Sequence, residues 1–124
     1  MYTLRVRRSF VAQHYLTVPD CGPENEWHSH RFEVEILLEG PSLNEHGYLV
    51  DIVEVEEALE ALVDRYRDAT LNDLPEFKGR NPSVEHFSRL MCTSIKDKID
   101  TTQISSVTAR IWEDDDAWAS YVVQ

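Results

Sequence analysis

Arg31-Phe32-Glu33-Val34-Glu35-Ile36-Leu37-Leu38-Glu39-Gly40-Pro41 is the most regular segment in the chain. Phe32, Val34, Ile36 and Leu38 alternate with Arg31, Glu33, Glu35 and Glu39, and a period of two puts successive side chains on opposite faces of a strand. Gly40-Pro41 ends it, because proline brings no amide donor to a ladder. Upstream, residues 2–12 alternate in the same way, with Tyr2, Leu4 and Val6 against Thr3, Arg5 and Arg7. Residues 15–27 contain Pro19, Gly22 and Pro23 among polar neighbours and read as a long loop between these two strands.

Downstream, residues 40–50 form a second loop that leads to Asp51, with Glu54 three positions on, an acidic variant of a capping box. Ile52, Val55, Leu59, Leu62 and Tyr66 recur at steps of three and four, the stripe of an amphipathic helix. Glu54, Glu56, Glu57, Glu60 and Asp64 fall largely outside it and read as a solvated face. Pro75, Gly79 and Pro82 interrupt residues 70–82. Asn81-Pro82 suits an N-cap followed by proline in the first helical position. Val84, Phe87, Met91, Ile95 and Ile99 make a second helical stripe. Strands at roughly 104–112 and 117–123 follow, joined by Asp114-Asp115-Asp116.

The expected order is β-β-α-α-β-β. Strands and helices are segregated, so the class is α+β: a four-stranded antiparallel sheet with two helices on one face, in a single domain of residues 1–124. The uncovered face includes Leu37, Trp112 and Val122, and a four-stranded sheet has two open edges. A homo-oligomer that closes its sheets edge to edge is therefore expected.

The 124 residues are 42 % hydrophobic and 28 % charged, a globular balance. Acids outnumber bases 23 to 12, for a formal net charge of -11. A nucleic-acid binder or a peripheral membrane protein needs clustered Lys and Arg, so both are excluded as expectations. No apolar run approaches the roughly 20 residues of a membrane span, and no secretion signal is visible. Cys21 and Cys92 make a poor disulfide framework, which points to a reducing cytoplasm.

Three of five histidines fall where a hairpin gathers them. His28 and His30, one residue apart, project to the same side of extended backbone. His14 lies just past the end of the first strand, beside the start of the second if the two pair antiparallel. Three neutral imidazoles with one open position is a catalytic zinc arrangement; a structural cluster of satisfied histidines is the other reading of the same residues. His46 and His86 gain nothing from spacing and read as surface or structural.

Phe10-Val11-Ala12-Gln13-His14, then His28-Ser29-His30, resembles the metal triad of the 6-pyruvoyl- and 6-carboxy-tetrahydropterin synthase family. Gly47-Tyr48-Leu49-Val50-Asp51, Leu71-Asn72-Asp73, Asn81-Pro82-Ser83-Val84-Glu85 and Glu113 follow in the family's order. The resemblance implies a T-fold subunit of a barrel-forming trimer or hexamer, Zn2+ on His14, His28 and His30, and a pterin substrate.

Some positions depart from the family. Ser29 stands where glycine is usual. The common catalytic cysteine would sit at Glu24, whereas Cys21 lies three residues earlier. The Asp-His pair falls on Arg67 and Asp68, so the relay histidine is missing. A thiol needs a neighbouring base or cation to become thiolate, and Glu24 competes with Cys21 as the base because a carboxylate needs no relay. Asp68 takes the relay place or merely ends the helix. By the same resemblance Glu113 accepts two hydrogen bonds from the aminopyrimidine edge of a pterin. Ser83 and Glu85 help to hold the ring or cap the helix.

The implied activity is a zinc-dependent lyase acting on dihydroneopterin triphosphate or a close relative. Its product would be 6-carboxy-tetrahydropterin, towards queuosine-type nucleosides, which the small chain favours by analogy, or 6-pyruvoyl-tetrahydropterin. A non-catalytic pterin- or metal-binding homologue and a zinc enzyme acting on another carbonyl substrate are the alternatives. The net negative charge repels a triphosphate at long range, so Arg5, Arg7, Arg8, Arg31, Lys78 and Arg80 are candidates for a local positive rim.

Overall fold

The computed structural model describes all 124 residues. Its elements are β1 (Tyr2–His14), β2 (His28–Gly40), α1 (Ile52–Tyr66), α2 (Val84–Lys96), β3 (Ser106–Trp112) and β4 (Trp118–Val123). The strands form one sheet in the order β1-β2-β3-β4, every neighbour antiparallel. The expected α+β class and β-β-α-α-β-β order are what the chain adopts. No helix is long and apolar enough to cross a membrane.

β1 and β2 run further towards their connecting loop than alternation indicates, since β1 reaches His14 and β2 begins at His28. The extra residues are paired: His14 lies opposite His28, Gln13 opposite Ser29, and His30 opposite Ala12 of the expected strand. Their side chains are polar, so hydropathy carried no sign of the extension. The loop between them, residues 15–27, has the expected extent and contains a 3-10 turn, Gly22–Asn25.

Val55, Leu59, Leu62, Val63 and Tyr66 of α1 are buried, as are Phe87, Met91, Cys92 and Ile95 of α2. They pack on the even-numbered side chains of β1 and β2 and on Val107, Ala109 and Ile111 of β3. Phe87 sits at the middle, with its ring centroid 5.0 to 5.9 Å from those of Tyr66, Phe32, Phe77 and Phe10. Edge-to-face pairs of this kind add to the burial energy of each ring.

Several helix signals are corrected. Asp51 caps α1, its carboxylate accepting from the Val53 amide at 2.9 Å. Glu54 does not complete a capping box; it accepts from the Asp100 amide at 2.9 Å and ties α1 to the chain beyond α2. Ile52, placed in the apolar stripe, is exposed. The cap of α2 is Ser83, whose hydroxyl accepts from the His86 amide. Asn81 is not the cap, because its side-chain oxygen is taken by the Thr17 amide at 2.8 Å. Pro82 therefore precedes the helix, and Ile99 is buried beyond its end. The acidic face of α1 is only partly solvated, since Glu56 and Glu60 pair with Arg8 on β1.

The face without helices is charged and aromatic. Glu35 is only 3 % exposed there, between Arg5 at 3.3 Å and Arg110 at 3.5 Å. The Arg110 guanidinium lies 4.1 Å from the Trp118 ring, a cation–π contact that shelters this carboxylate's partner. Arg7 pairs with Glu33. With Arg5, Arg7 and Arg8 all engaged by carboxylates, they form no free positive rim.

Candidate metal centre

At one end of the sheet, on the face that carries the helices, β1 contributes His14 and β2 contributes His28 and His30. Strand pairing brings their rings edge to face, with centroids 4.6 to 5.1 Å apart. Phe32 closes the floor, 5.6 Å from both His14 and His30. His14 is fully buried, and its Nδ1 lies 2.9 Å from the Pro82 carbonyl. His28 Nδ1 lies 2.7 Å from the Glu26 carbonyl. A carbonyl oxygen only accepts, so both rings carry their proton on Nδ1 and present a lone pair at Nε2.

The Nε2 atoms of His14, His28 and His30 are buried and have no hydrogen-bond partner. They and a Glu24 carboxylate oxygen all lie within 4.8 Å of one another. Buried acceptors without donors are costly unless something electropositive joins them. Three imidazoles, two of them oriented through their second nitrogen, with one carboxylate, are a donor set suited to a divalent transition metal. Burial pushes the His14 imidazole down to about 4, with the neighbouring His28 and His30 working in the same direction, so it is neutral and free to ligate at neutral pH.

Two carboxylates flank the histidines. Glu24 Oε2 lies 3.3 Å from His28 Nε2, and Glu113 Oε1 lies 3.3 Å from His30 Nε2. Neither contact has hydrogen-bond geometry, and at His28, whose proton is on Nδ1, acceptor faces acceptor. Glu113 is half-buried, and burial raises its carboxyl above the usual range. It lines a cleft with Val84, Glu85, Trp118 and Ala119, so Glu85 opens onto the same space. Ser83 is occupied as the α2 cap.

The remaining candidates stand apart. Cys21 precedes the 3-10 turn, its amide donating to Asn25 Oδ1 at 2.9 Å, and its sulfur is not among the convergent atoms. Asp68 is exposed, takes φ 59° just past α1, and donates its amide to the Val11 carbonyl at 2.7 Å. His86 Nδ1 is engaged by the Asn81 carbonyl. Sequence reasoning missed the two carbonyls that orient the rings, because backbone oxygens leave no mark in residue identity. It also missed Asn25, whose side chain donates to the Leu16 and Val18 carbonyls. A Gly-Pro turn ending in asparagine was the available signal for that clamp.

The family model of 6-pyruvoyl tetrahydropterin synthase matches residues 3–124. The chain belongs to the 6-pyruvoyl tetrahydropterin synthase family. Among solved structures it is similar to the Caenorhabditis elegans 6-pyruvoyl tetrahydropterin synthase, with a TM-score of 0.84 at 20 % identity over 99 % of this chain and 96 % of that one. It is also similar to a catalytic-residue mutant, glutamate to alanine, of the Plasmodium vivax 6-pyruvoyltetrahydropterin synthase. The TM-score there is 0.81 at 14 % identity, over 98 % and 97 % of the two chains. At such identities the structures speak for the shared T-fold, and the family match carries the membership. A tetrahydropterin-synthase-like function, with a His/Glu group able to hold a metal, follows for this member of the family.

Proposed function

We propose that the protein is a zinc-dependent lyase that acts on dihydroneopterin triphosphate or a close relative. The observation that carries this reading is the convergence of three partnerless imidazole nitrogens and one glutamate carboxylate in a chain of this family. His14, His28 and His30 would hold the zinc, which when bound supplies Lewis acidity to the hydroxyls of the substrate side chain. Glu24 takes the proton from a side-chain carbon; its carboxylate is close to the histidines and still half-exposed to arriving substrate. That the catalytic residue replaced in the Plasmodium vivax protein is a glutamate supports this choice.

Glu113 accepts two N–H groups from the aminopyrimidine edge, and Val84 and Trp118 offer apolar surface to the ring. Glu85 and Ser83 belong to the same wall, Ser83 through its cap. Cys21 and Asp68 carry no catalytic step in this reading. The subunits join through the open edges of β1 and β4 into trimers or hexamers, in the cytoplasm.

The test is incubation of the zinc-loaded protein with dihydroneopterin triphosphate. Formation of 6-carboxy- or 6-pyruvoyl-tetrahydropterin supports the assignment and names the branch, the first being the queuosine-type route. Glu24→Ala then lowers kcat roughly 10²- to 10⁴-fold while pterin binding persists. Unchanged substrate with pterin bound favours a non-catalytic binder instead. The exposed Asp68 at the relay position is the observation that keeps that second reading in play.

A further inference from the structure

We propose that Glu24 is a displaceable fourth metal ligand in the resting protein, so that substrate must take its place before the same carboxylate is free to act as base. This rests on the reading of the three histidines as metal ligands and of Glu24 as the proton acceptor.

The hydrogen bonds to the Pro82 and Glu26 carbonyls fix the protons of His14 and His28 on Nδ1. Glu24 Oε2 then faces the His28 Nε2 lone pair at 3.3 Å with no hydrogen between them. Three buried imidazole nitrogens without partners, two of them with their lone pairs fixed, are costly beside an anion unless a cation lies among them. Glu113 is just as close to one ring, 3.3 Å from His30, but does not join the mutually close set. The convergence thus singles out one of two neighbouring carboxylates. Its composition, three imidazole nitrogens and one carboxylate oxygen, completes a four-coordinate zinc shell.

Glu24 is also held where a ligand must be. Its carbonyl accepts from the Leu16 amide at 2.7 Å, two residues beyond His14. Asn25 stitches the same turn to Leu16, Val18 and Cys21 by three side-chain hydrogen bonds. The backbone of Glu24 is therefore fastened to the strand end that carries His14. Its side chain is different: it is 44 % exposed, against 23 % for His28 and 20 % for His30. A carboxylate at that exposure rehydrates at little cost when it leaves, whereas the buried imidazoles do not. The arrangement closes the site until a ligand with hydroxyls competes, and couples arrival of substrate to release of the base.

Cobalt(II) titration of the metal-free protein, followed by visible absorption, tests this. Glu24→Ala is expected to weaken cobalt binding about tenfold or more and to change the ligand-field spectrum, while Glu113→Ala leaves the spectrum unaltered and the affinity within a few-fold. Glu24→Asp, which keeps the carboxylate on a shorter arm, restores part of the loss. Equal losses in Glu24→Ala and Glu113→Ala would mean that charge alone acts, and would overturn the proposal. So would wild-type affinity and spectrum in Glu24→Ala. His28→Ala separates the two levels: wild-type cobalt affinity there contradicts the metal centre itself, whereas lost binding in His28→Ala beside unchanged binding in Glu24→Ala removes only the ligand role of Glu24.

Discussion

His14 is the most constrained residue of the centre: fully buried, bonded at Nδ1 to Pro82, and pushed by burial from 6.5 down to about 4. Between those values the unfolded chain binds a proton that the folded, metal-free chain refuses, so stability falls as pH drops through that window. Urea midpoints of metal-free protein should therefore be lower at pH 5 than at pH 7, and the difference should shrink in His14→Phe. A midpoint independent of pH in the wild type would contradict the burial of an uncharged ring. Glu113 makes a separate prediction. If its carboxylate accepts two N–H groups from a pterin, Glu113→Gln loses charge-assisted bonds worth about 1.5–3 kcal/mol. Fluorescence titration with neopterin should then show binding weaker by roughly tenfold or more. At this scale the sequence disclosed the three histidines, because strand pairing predicts their meeting from residue number alone. It did not disclose that the Pro82 and Glu26 carbonyls set the ring protons, since any residue supplies a carbonyl.

The helices show how local signals compete with tertiary contacts. Asp51 at the head of α1 was legible, and its carboxylate accepts from the Val53 amide as capping requires. Asn81-Pro82 was misleading, because the Asn81 side chain serves the Thr17 amide and leaves capping to Ser83. Asp51→Ala and Ser83→Ala should each cost about 1 kcal/mol, visible as lowered melting temperatures, whereas Asn81→Ala should act on the loop at Thr17 instead of on helix content. Equal loss of helix in Asn81→Ala would restore it as the cap. β2 has its own constraint at Gly40. A methyl group there would meet the Gln103 carbonyl oxygen at 2.0 Å and the Leu49 side chain at 2.7 Å. The carbonyl is backbone and cannot swing aside, so Gly40→Ala should lower the melting temperature sharply. In the sequence Gly40 marks only the end of a strand, because the close approach comes from a segment more than sixty residues away.

The layered architecture of the whole molecule was legible because its strands and helices are segregated along the chain and each keeps its own period. The face opposite the helices was less so: alternation marked Glu35 as outward, yet Arg5 and Arg110 bury it. β4 and the part of β1 before Val11 keep open edges, the end of β1 being bonded to residues 68–70, and Tyr48, Ile52 and Val53 are exposed beside the start of α1. Edge pairing between copies should therefore give an assembly of three or six subunits in sedimentation, and a monomer at micromolar concentration would contradict it. Every part of the functional account depends on the trio of imidazoles that closes one end of this sheet. Elemental analysis of protein purified without chelators, from cells supplied with zinc, tests it most directly. The account predicts about one zinc per chain in the wild type and a marked loss in each of His14→Ala, His28→Ala and His30→Ala. Stoichiometric zinc that survives all three substitutions, or none in the wild type, would contradict it.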